Sequence, residues 1–448
     1  MSEDSTALGA PVSFREALRF WAKLGFISFG GPAGQIAIMH RELVERRQWI
    51  SEERFLHALN FCMLLPGPEA QQLAIYIGWM KHRVLGGVIA GVLFILPGFI
   101  LITAISWMYV SFADSAPLQG VFFGLKAAVL AVVLEAVHRI GKRAIRNKLS
   151  WTVAAVSFLG IFAFAVPFPV IVLTAALLGL LLQWKRPEWL SHAGQITSDT
   201  TVTKTDETTA SVSWQSSLRI AAVCLCLWFA PLILVYVLLG ATHVLSLEGV
   251  FFSKMAVVTF GGAYAVLSYV AQQAVERYAW LSPNDMMQGL ALAETTPGPL
   301  ILVLTFVGFM AAYQSPAPFD PVLAGVFGAA LTTWVTFVPC FLWILLGAPH
   351  VERLRHNKAL SAALSVITAA IVGVILNLAV WFALHALFGE VNEMKWAALS
   401  LPLPQPRTVD VPAVAIAGVA TLALLRFKAP MMATLAACAL LGVVSRLV

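Results

Sequence analysis

Charge is what this sequence has least of. Only 12% of its 448 residues are Asp, Glu, Lys or Arg, against 59% hydrophobic residues and a mean hydropathy of +0.83. A water-soluble fold of this length needs many more polar residues for its exterior, so the scarcity excludes one. Motifs for bound chemistry are missing too. No Gly-rich loop ends in Lys and Ser or Thr to cradle phosphates, and His-Glu-x-x-His and Cys-x-x-Cys do not occur, which argues against direct ATP driving and against a metalloenzyme. Flavin, haem and nucleotide motifs are likewise missing, which argues against a reductase. Of five cysteines, Cys62, Cys224, Cys226 and Cys438 lie within apolar runs and Cys340 follows a proline in another. None has metal-ligand spacing with histidine, so they read as small buried hydrophobes. Neither cofactor nor enzymatic activity is expected.

What is present is a series of long apolar stretches. At about 20 residues per bilayer crossing, the length allows roughly ten to thirteen crossings or partial crossings. The formal charge of +6 and the isoelectric point near 9.1 do not signal nucleic acid, because the basic residues sit in short clusters between apolar segments, as in cytoplasmic loops. The N-terminal stretch lacks a basic segment, a compact apolar core and a small-residue cleavage site, so it is expected to be retained.

The chain repeats itself. "FWAKLGFISFGGPAG…LVERRQWIS…LNFCMLLPGP" at 20–68 aligns without a gap on "FFSKMAVVTFGGAYA…AVERYAWLS…LALAETTPGP" at 251–299, an offset of 231 throughout. The match continues more weakly. "LPGFIL" from Leu96 resembles "VPCFLW" from Val338, and the helix with Lys126 and Glu135 parallels one with Thr368 and Asn377. Lys126 and Glu135, nine residues apart, cannot pair with each other and need partners elsewhere.

Positive charges give each copy a direction. In the first, the loop after the Pro-Gly-Pro hairpin is basic (Lys81, Arg83) and the next helix ends in the uncompensated "FADSAPLQ"; in the second, the hairpin ends in "AAYQSPAP" and the next helix in the basic "HVERLRHNK". The positive-inside rule then orients the copies oppositely. The expected fold is an all-α polytopic membrane protein of two inverted-topology repeats, with helices broken at Gly-Gly-Pro and Pro-Gly-Pro. Its expected divisions are a first repeat over 1–186, a polar, Thr/Ser-rich disordered cytoplasmic linker over 187–216, a connecting helix over 217–246 and a second repeat over 247–448. Short paired helices at about 151–166 and 168–184 turn at "VPFP". The N-terminus is expected inside and the C-terminus outside.

The breaks are the chemistry. Proline lacks a backbone donor and glycine turns freely, so Gly30, Gly31 and Pro32, then Pro66, Gly67 and Pro68, each join two half-helices. Their counterparts are Gly261 and Gly262, then Pro297, Gly298 and Pro299. Unpaired N–H groups and the positive end of a half-helix suit an anion near the midplane, although ordinary packing kinks would leave the same residues. Gln71, Gln72, Thr295 and Thr296 could coordinate oxyanion oxygens, helix capping being the alternative for the threonines. Lys23 and Lys254, at equivalent places, either add charge for a dianion or reach to the interface. Glu69 and Glu294, beside the Pro-Gly-Pro turns, could carry a coupling proton.

The Phe-Gly-Gly-Pro at 29–32, "NFCMLLPGPEAQQLAIYIG" at 60–78, "LPGF" at 96–99, "GLKAA" at 124–128 and the degenerate "FGGAYAVL" and "AETTPGPL" resemble the chromate ion transporter family in its long two-domain form. The resemblance covers nearly all of the chain except the linker. It implies proton-motive-force-driven export of chromate from the bacterial cytoplasm across the inner membrane, chromate resistance, and competition by sulfate, an isostere. Protons and the lipid bilayer are then the expected partners, nucleic acid is not, and a homodimer stays open. Ala263 stands where the first copy has Pro32, so the site need not be symmetric. A sulfate or other oxyanion carrier and an uncoupled anion channel are the alternatives.

Overall fold

The computed structural model describes residues 12–112, 115–189, 214–260, 262–348, 358–396 and 399–447. Gly261, most of the expected linker and most of the basic cluster at 350–358 lie outside the described residues.

The protein is an all-α polytopic membrane protein with sixteen α-helices among the described residues. In chain order α1 is Phe14–Ile27, α2 Gly31–His40, α3 Glu52–Cys62 and α4 Glu69–Phe112; α5 is Ala116–Ala144, α6 Lys148–Phe164, α7 Phe168–Lys185 and α8 Trp214–Leu239. Then come α9 Val244–Val258, α10 Ala263–Gln272, α11 Pro283–Thr295 and α12 Val303–Gln314, followed by α13 Pro321–Gly347, α14 Lys358–Leu387, α15 Val411–Leu425 and α16 Met431–Leu447. Six of them, α4, α5, α7, α8, α13 and α14, are long and apolar enough to cross a bilayer, and α4 is two helices joined at non-helical His82 and Arg83.

Local sequence explains the boundaries. Ser13 and Ser51 accept the backbone N–H groups of Glu16 and Arg54 at the starts of α1 and α3, and Asn147 and Ser150 form a reciprocal cap on α6. Asp320 and Asp410 cap α13 and α15, each with proline in the first turn. The α6–α7 pair turns at Ala165 to Pro167, close to the "VPFP" boundary read from sequence. After α2 and again after α10 the chain widens into a π-helical turn, Arg41–Arg46 and Gln273–Arg277, so the copies share even this irregularity. One element had no sequence signal: a β-hairpin of Val391–Trp396 (β1) and Leu399–Pro404 (β2) between α14 and α15.

The chain forms two compact units, and each draws on both copies. The first comprises residues 1–110, 213–263 and 292–351; the second comprises 111–212, 264–291 and 352–448. In the first unit α13 packs on α9, α12 and α8. Small residues allow close approach, since a Cβ on Gly308 would come 2.7 Å from the Gly328 carbonyl oxygen. In the second unit α14 lies against α5, α6 and α7, and α16 runs along α5. There Glu135 pairs with Arg139 at 3.6 Å, Arg446 reaches Asp410 at 4.0 Å, and Lys126 lies within the field of both Asp410 and Arg446. Outward faces are apolar where lipid would be: Trp151 on α6, Leu173 on α7 and Leu238 on α8 are all exposed.

Candidate functional site

All four breaks open where glycine is needed. Gly30, Gly31, Gly67, Gly262 and Gly298 have φ between +67° and +122°, a region that side chains with a Cβ rarely enter. The first unit then joins the breaks reciprocally. The N–H of Gly67, in the first Pro-Gly-Pro, donates to the Thr259 carbonyl at 2.8 Å, and the N–H of Gly298, in the second, donates to the Ser28 carbonyl, also at 2.8 Å. Residues 28 and 259, like 67 and 298, are related by the repeat offset of 231. Each copy therefore offers the other the same pair of groups, the pattern of an approximate two-fold exchange. Ser28 and Thr259 are fully buried, and their hydroxyls donate back to Leu24 and Met255 in their own helices.

Past this shared frame the two Pro-Gly-Pro breaks differ. In the first, Pro68 leads straight into α4, whose first turn is Glu69-Ala70-Gln71-Gln72. Gln72 donates through Nε2 to the Pro66 carbonyl at 2.7 Å. Gln71 is fully buried, and neither its Nε2 nor its Oε1 has a hydrogen-bond partner. Glu69 is half-buried, with Oε1 3.7 Å from where a Gly262 Cβ would lie, so it bridges towards the first break of the other copy. In the second, Pro299 leads into a 3₁₀ turn of buried Leu300, Ile301 and Leu302. A Cβ on Gly298 would come 2.8 Å from Leu302 Cδ1, whereas one on Gly67 would meet Gln72 Nε2 and Cys340 Sγ, both at 2.9 Å. The first turn runs on into amides and the second into leucine.

An oxyanion needs donors, and the arrangement supplies few that are free. The glycine N–H groups of both Pro-Gly-Pro turns are spent on Ser28 and Thr259. Thr295 and Thr296 donate to the Leu292 and Ala293 carbonyls, so their hydroxyl protons finish their own helix. What remains is the Gln71 amide, beside a first turn of α4 in which the Gln72 N–H already donates to the Pro68 carbonyl. A buried amide without partners costs roughly 1–3 kcal/mol. At this break it is a buried donor without a partner.

The other expected residues fall in two sets. Glu294 is buried beside the second Pro-Gly-Pro. Pro32 occupies the first turn of α2, and α10 starts without proline at Ala263. Lys23 and Lys254 are exposed on α1 and α9, whereas Phe29, Gly30, Phe260 and Gly262 in the breaks they precede are only partly exposed. Gly261 lies outside the described residues.

Sequence reasoning missed four contributors. Ser28 and Thr259 could have been found, because the repeat alignment sets a hydroxyl residue before Phe-Gly-Gly in both copies. Gln35, fully buried on α2, donates through Nε2 to the Gly298 and Ser28 carbonyls. Its counterpart is Val266, so no symmetry flagged it. Cys340, read as a plain hydrophobe, sits against Gly67 at the place where the first copy has Gly98.

Comparison with known proteins agrees with the resemblance. A family described as "Chromate transporter" matches residues 15–180 and 249–443. The chain is 29% identical to the chromate transport protein of Cupriavidus metallidurans over 99% of this chain and 97% of that one. It is 33% identical to the chromate transport protein of Pseudomonas aeruginosa over 82% and 81% of the respective chains. An uncharacterized transporter of Bacillus subtilis is 26% identical over 33% of this chain and 74% of its own length. No solved structure is a significant match.

Proposed function

The chain belongs to the chromate transporter family, and from that premise we propose that it exports chromate from the cytoplasm across the bacterial inner membrane by proton-driven alternating access. Chromate resistance follows from such export. The observation that carries the site is Gln71, an unpartnered buried amide in the first turn of a half-helix whose positive end faces the break. In this reading the anion sits at the start of α4, held by Gln71 and the first-turn N–H groups, with Gln72 and the glycines of the two adjoining breaks shaping the turn. Glu69 competes for the same helix end while ionised and yields it when protonated, which links proton binding to anion binding. Glu294, which precedes its Pro-Gly-Pro turn where Glu69 follows the first one, is the second candidate for the coupling proton, and Lys23 and Lys254 serve the approach of the dianion.

The two inverted repeats are 1–186 and 247–448, joined by the linker at 187–216 and the connecting helix at 217–246, and both contribute to each compact unit. Their opposite loop charges put the N-terminus in the cytoplasm and the C-terminus in the periplasm.

The test is chromate uptake into inverted membrane vesicles, with and without an uncoupler and with sulfate as competitor. Saturable accumulation that the uncoupler abolishes and sulfate inhibits supports the reading. Accumulation of sulfate but not chromate would make this a sulfate carrier, and flux of either ion only down its own gradient would make it a channel.

A further inference from the structure

Away from the breaks the first unit buries another carboxylate. Glu248, one turn into α9, is fully inaccessible, and neither of its oxygens has a hydrogen-bond partner. The Thr332 hydroxyl, on α13, faces it and is itself unpartnered, pressed so closely on α12 that a Cβ on Gly308 would collide with it. The helices against α9 bring no compensating charge. Their titratable side chains are Cys340 on α13, Tyr313 on α12, and Arg219, Cys224, Cys226 and Tyr236 on α8, and none of them acts on the Glu248 carboxyl; nor does Lys254 on α9 itself or His243 at its cap. An ionised carboxylate in such a place costs several kcal/mol, whereas the neutral acid fits.

A line of polar side chains runs from beside the acid along α13. Thr332, Thr336 and Cys340 recur at four-residue spacing, so they share one face of α13. All three are buried, and Thr336 and Cys340 donate back to the carbonyls of Thr332 and Thr336. The far end of this polar line is Cys340, against Gly67 and Gln72 of the first Pro-Gly-Pro. A hydrogen bond between Thr305 and Thr333, at 2.7 Å, adds hydroxyls beside it. Near its other end, α9 begins just after the loop at 240–243 that follows α8.

We propose that Glu248 is a proton-binding site of the transport cycle, communicating along the Thr332–Thr336–Cys340 face of α13 with the anion at the first Pro-Gly-Pro. The carboxylate takes a proton from water when its side of α9 is open, is buried as the neutral acid, and returns the same proton to water later in the cycle. This rests on the reading that transport is proton-driven, but the protonation of Glu248 is measurable without it.

Two measurements on the full chain in lipid vesicles decide the matter, with chromate as the probe. Infrared difference spectra of wild type minus Glu248→Gln at neutral pH should contain the C=O stretch of a protonated carboxyl, sensitive to D₂O. A carboxylate band in its place overturns the proposal. In transport, Glu248→Gln should lose accumulation driven by a pH gradient while keeping exchange of chromate for chromate at equal concentrations. Gradient-driven accumulation equal to wild type also overturns it. If wild type itself exchanges chromate without responding to the gradient, the proton-driven reading fails, the claimed role of Glu248 in transport falls with it, and the infrared band alone decides whether Glu248 holds a proton. If Glu248→Gln loses exchange as well, Thr336→Val provides the second variant. Weakened gradient-driven accumulation with exchange intact supports the path along α13, and wild-type behaviour in Thr336→Val overturns it.

Discussion

The two Pro-Gly-Pro turns began as the same sequence and have become different places. Both keep the positive-φ glycine, and both give its N–H to the hydroxyl-bearing residue before the other copy's Phe-Gly-Gly. That much is frame, because either turn would fall apart without it. Around the frame, the turn at 66–68 has Gln71, Gln72, Glu69 and Cys340, while the turn at 297–299 has Leu300, Ile301, Leu302 and the bare backbone of Gly98. The scaffold occurs twice, and the residues that follow the turn are polar in one copy and apolar in the other. The second turn is therefore read as a support for the first, and substitutions at paired positions should separate the two roles.

The largest difference is expected at Gly98 and its counterpart Cys340. A Cβ on Gly98 would lie 2.3 Å from the Pro297 carbonyl oxygen, which is backbone and cannot swing away. Gly98→Ala should destabilise the protein by about 1–3 kcal/mol and abolish transport, as read by thermal unfolding in detergent and vesicle uptake. Cys340→Ala removes one buried thiol that packs on Gly67, and should cost about 1 kcal/mol, keeping exchange of chromate for chromate and weakening only gradient-driven accumulation. Equal losses in the two variants would break the assignment of packing to one turn and polarity to the other.

Gln71 and Leu302, also related by the offset of 231, come next. Gln71→Leu removes a buried amide that has no partner in the ligand-free fold, so stability should rise by up to about 1 kcal/mol. Chromate affinity should fall roughly tenfold, the equivalent of about 1.4 kcal/mol. Gain of stability with loss of affinity is a signature that mere packing damage does not produce. The reverse change, Leu302→Gln, buries an amide among apolar neighbours and should destabilise by roughly 1–3 kcal/mol without improving affinity. Gln35→Leu, which removes the donor to Gly298 and Ser28, should cost about 1 kcal/mol of stability and leave affinity nearly unchanged.

Much of this was legible before any coordinates. The apolar stretches, the proline and glycine breaks, and the helix pair around "VPFP" all follow from local chemistry, and the repeat offset led to the reciprocal contacts of Gly67 and Gly298. Residues whose meaning comes from a distant partner were not legible. Gln35 looks like any polar residue on a helix until Gly298 is brought beside it, and Thr295 and Thr296 look like free donors until their hydroxyls are seen to close their own helix. Glu248 has no counterpart in the first copy, where Ala17 stands, so a search guided by symmetry passes over it. The division into two units that each mix both copies is likewise a property of packing, not of sequence order.

The smallest expected effects belong to Lys23 and Lys254. Both are exposed at equivalent positions, so Lys23→Ala and Lys254→Ala should each change stability by less than about 0.5 kcal/mol. If they serve the approach of a dianion, their removal slows chromate entry at low ionic strength, and the effect fades once salt shortens the screening length to about 8 Å. If the copies are inverted as their loop charges suggest, Lys23→Ala should act on one direction of flux and Lys254→Ala on the other. A loss that persists at high salt in one variant alone would instead place that lysine against the bound anion, and the polar and apolar turns would then have to share the site.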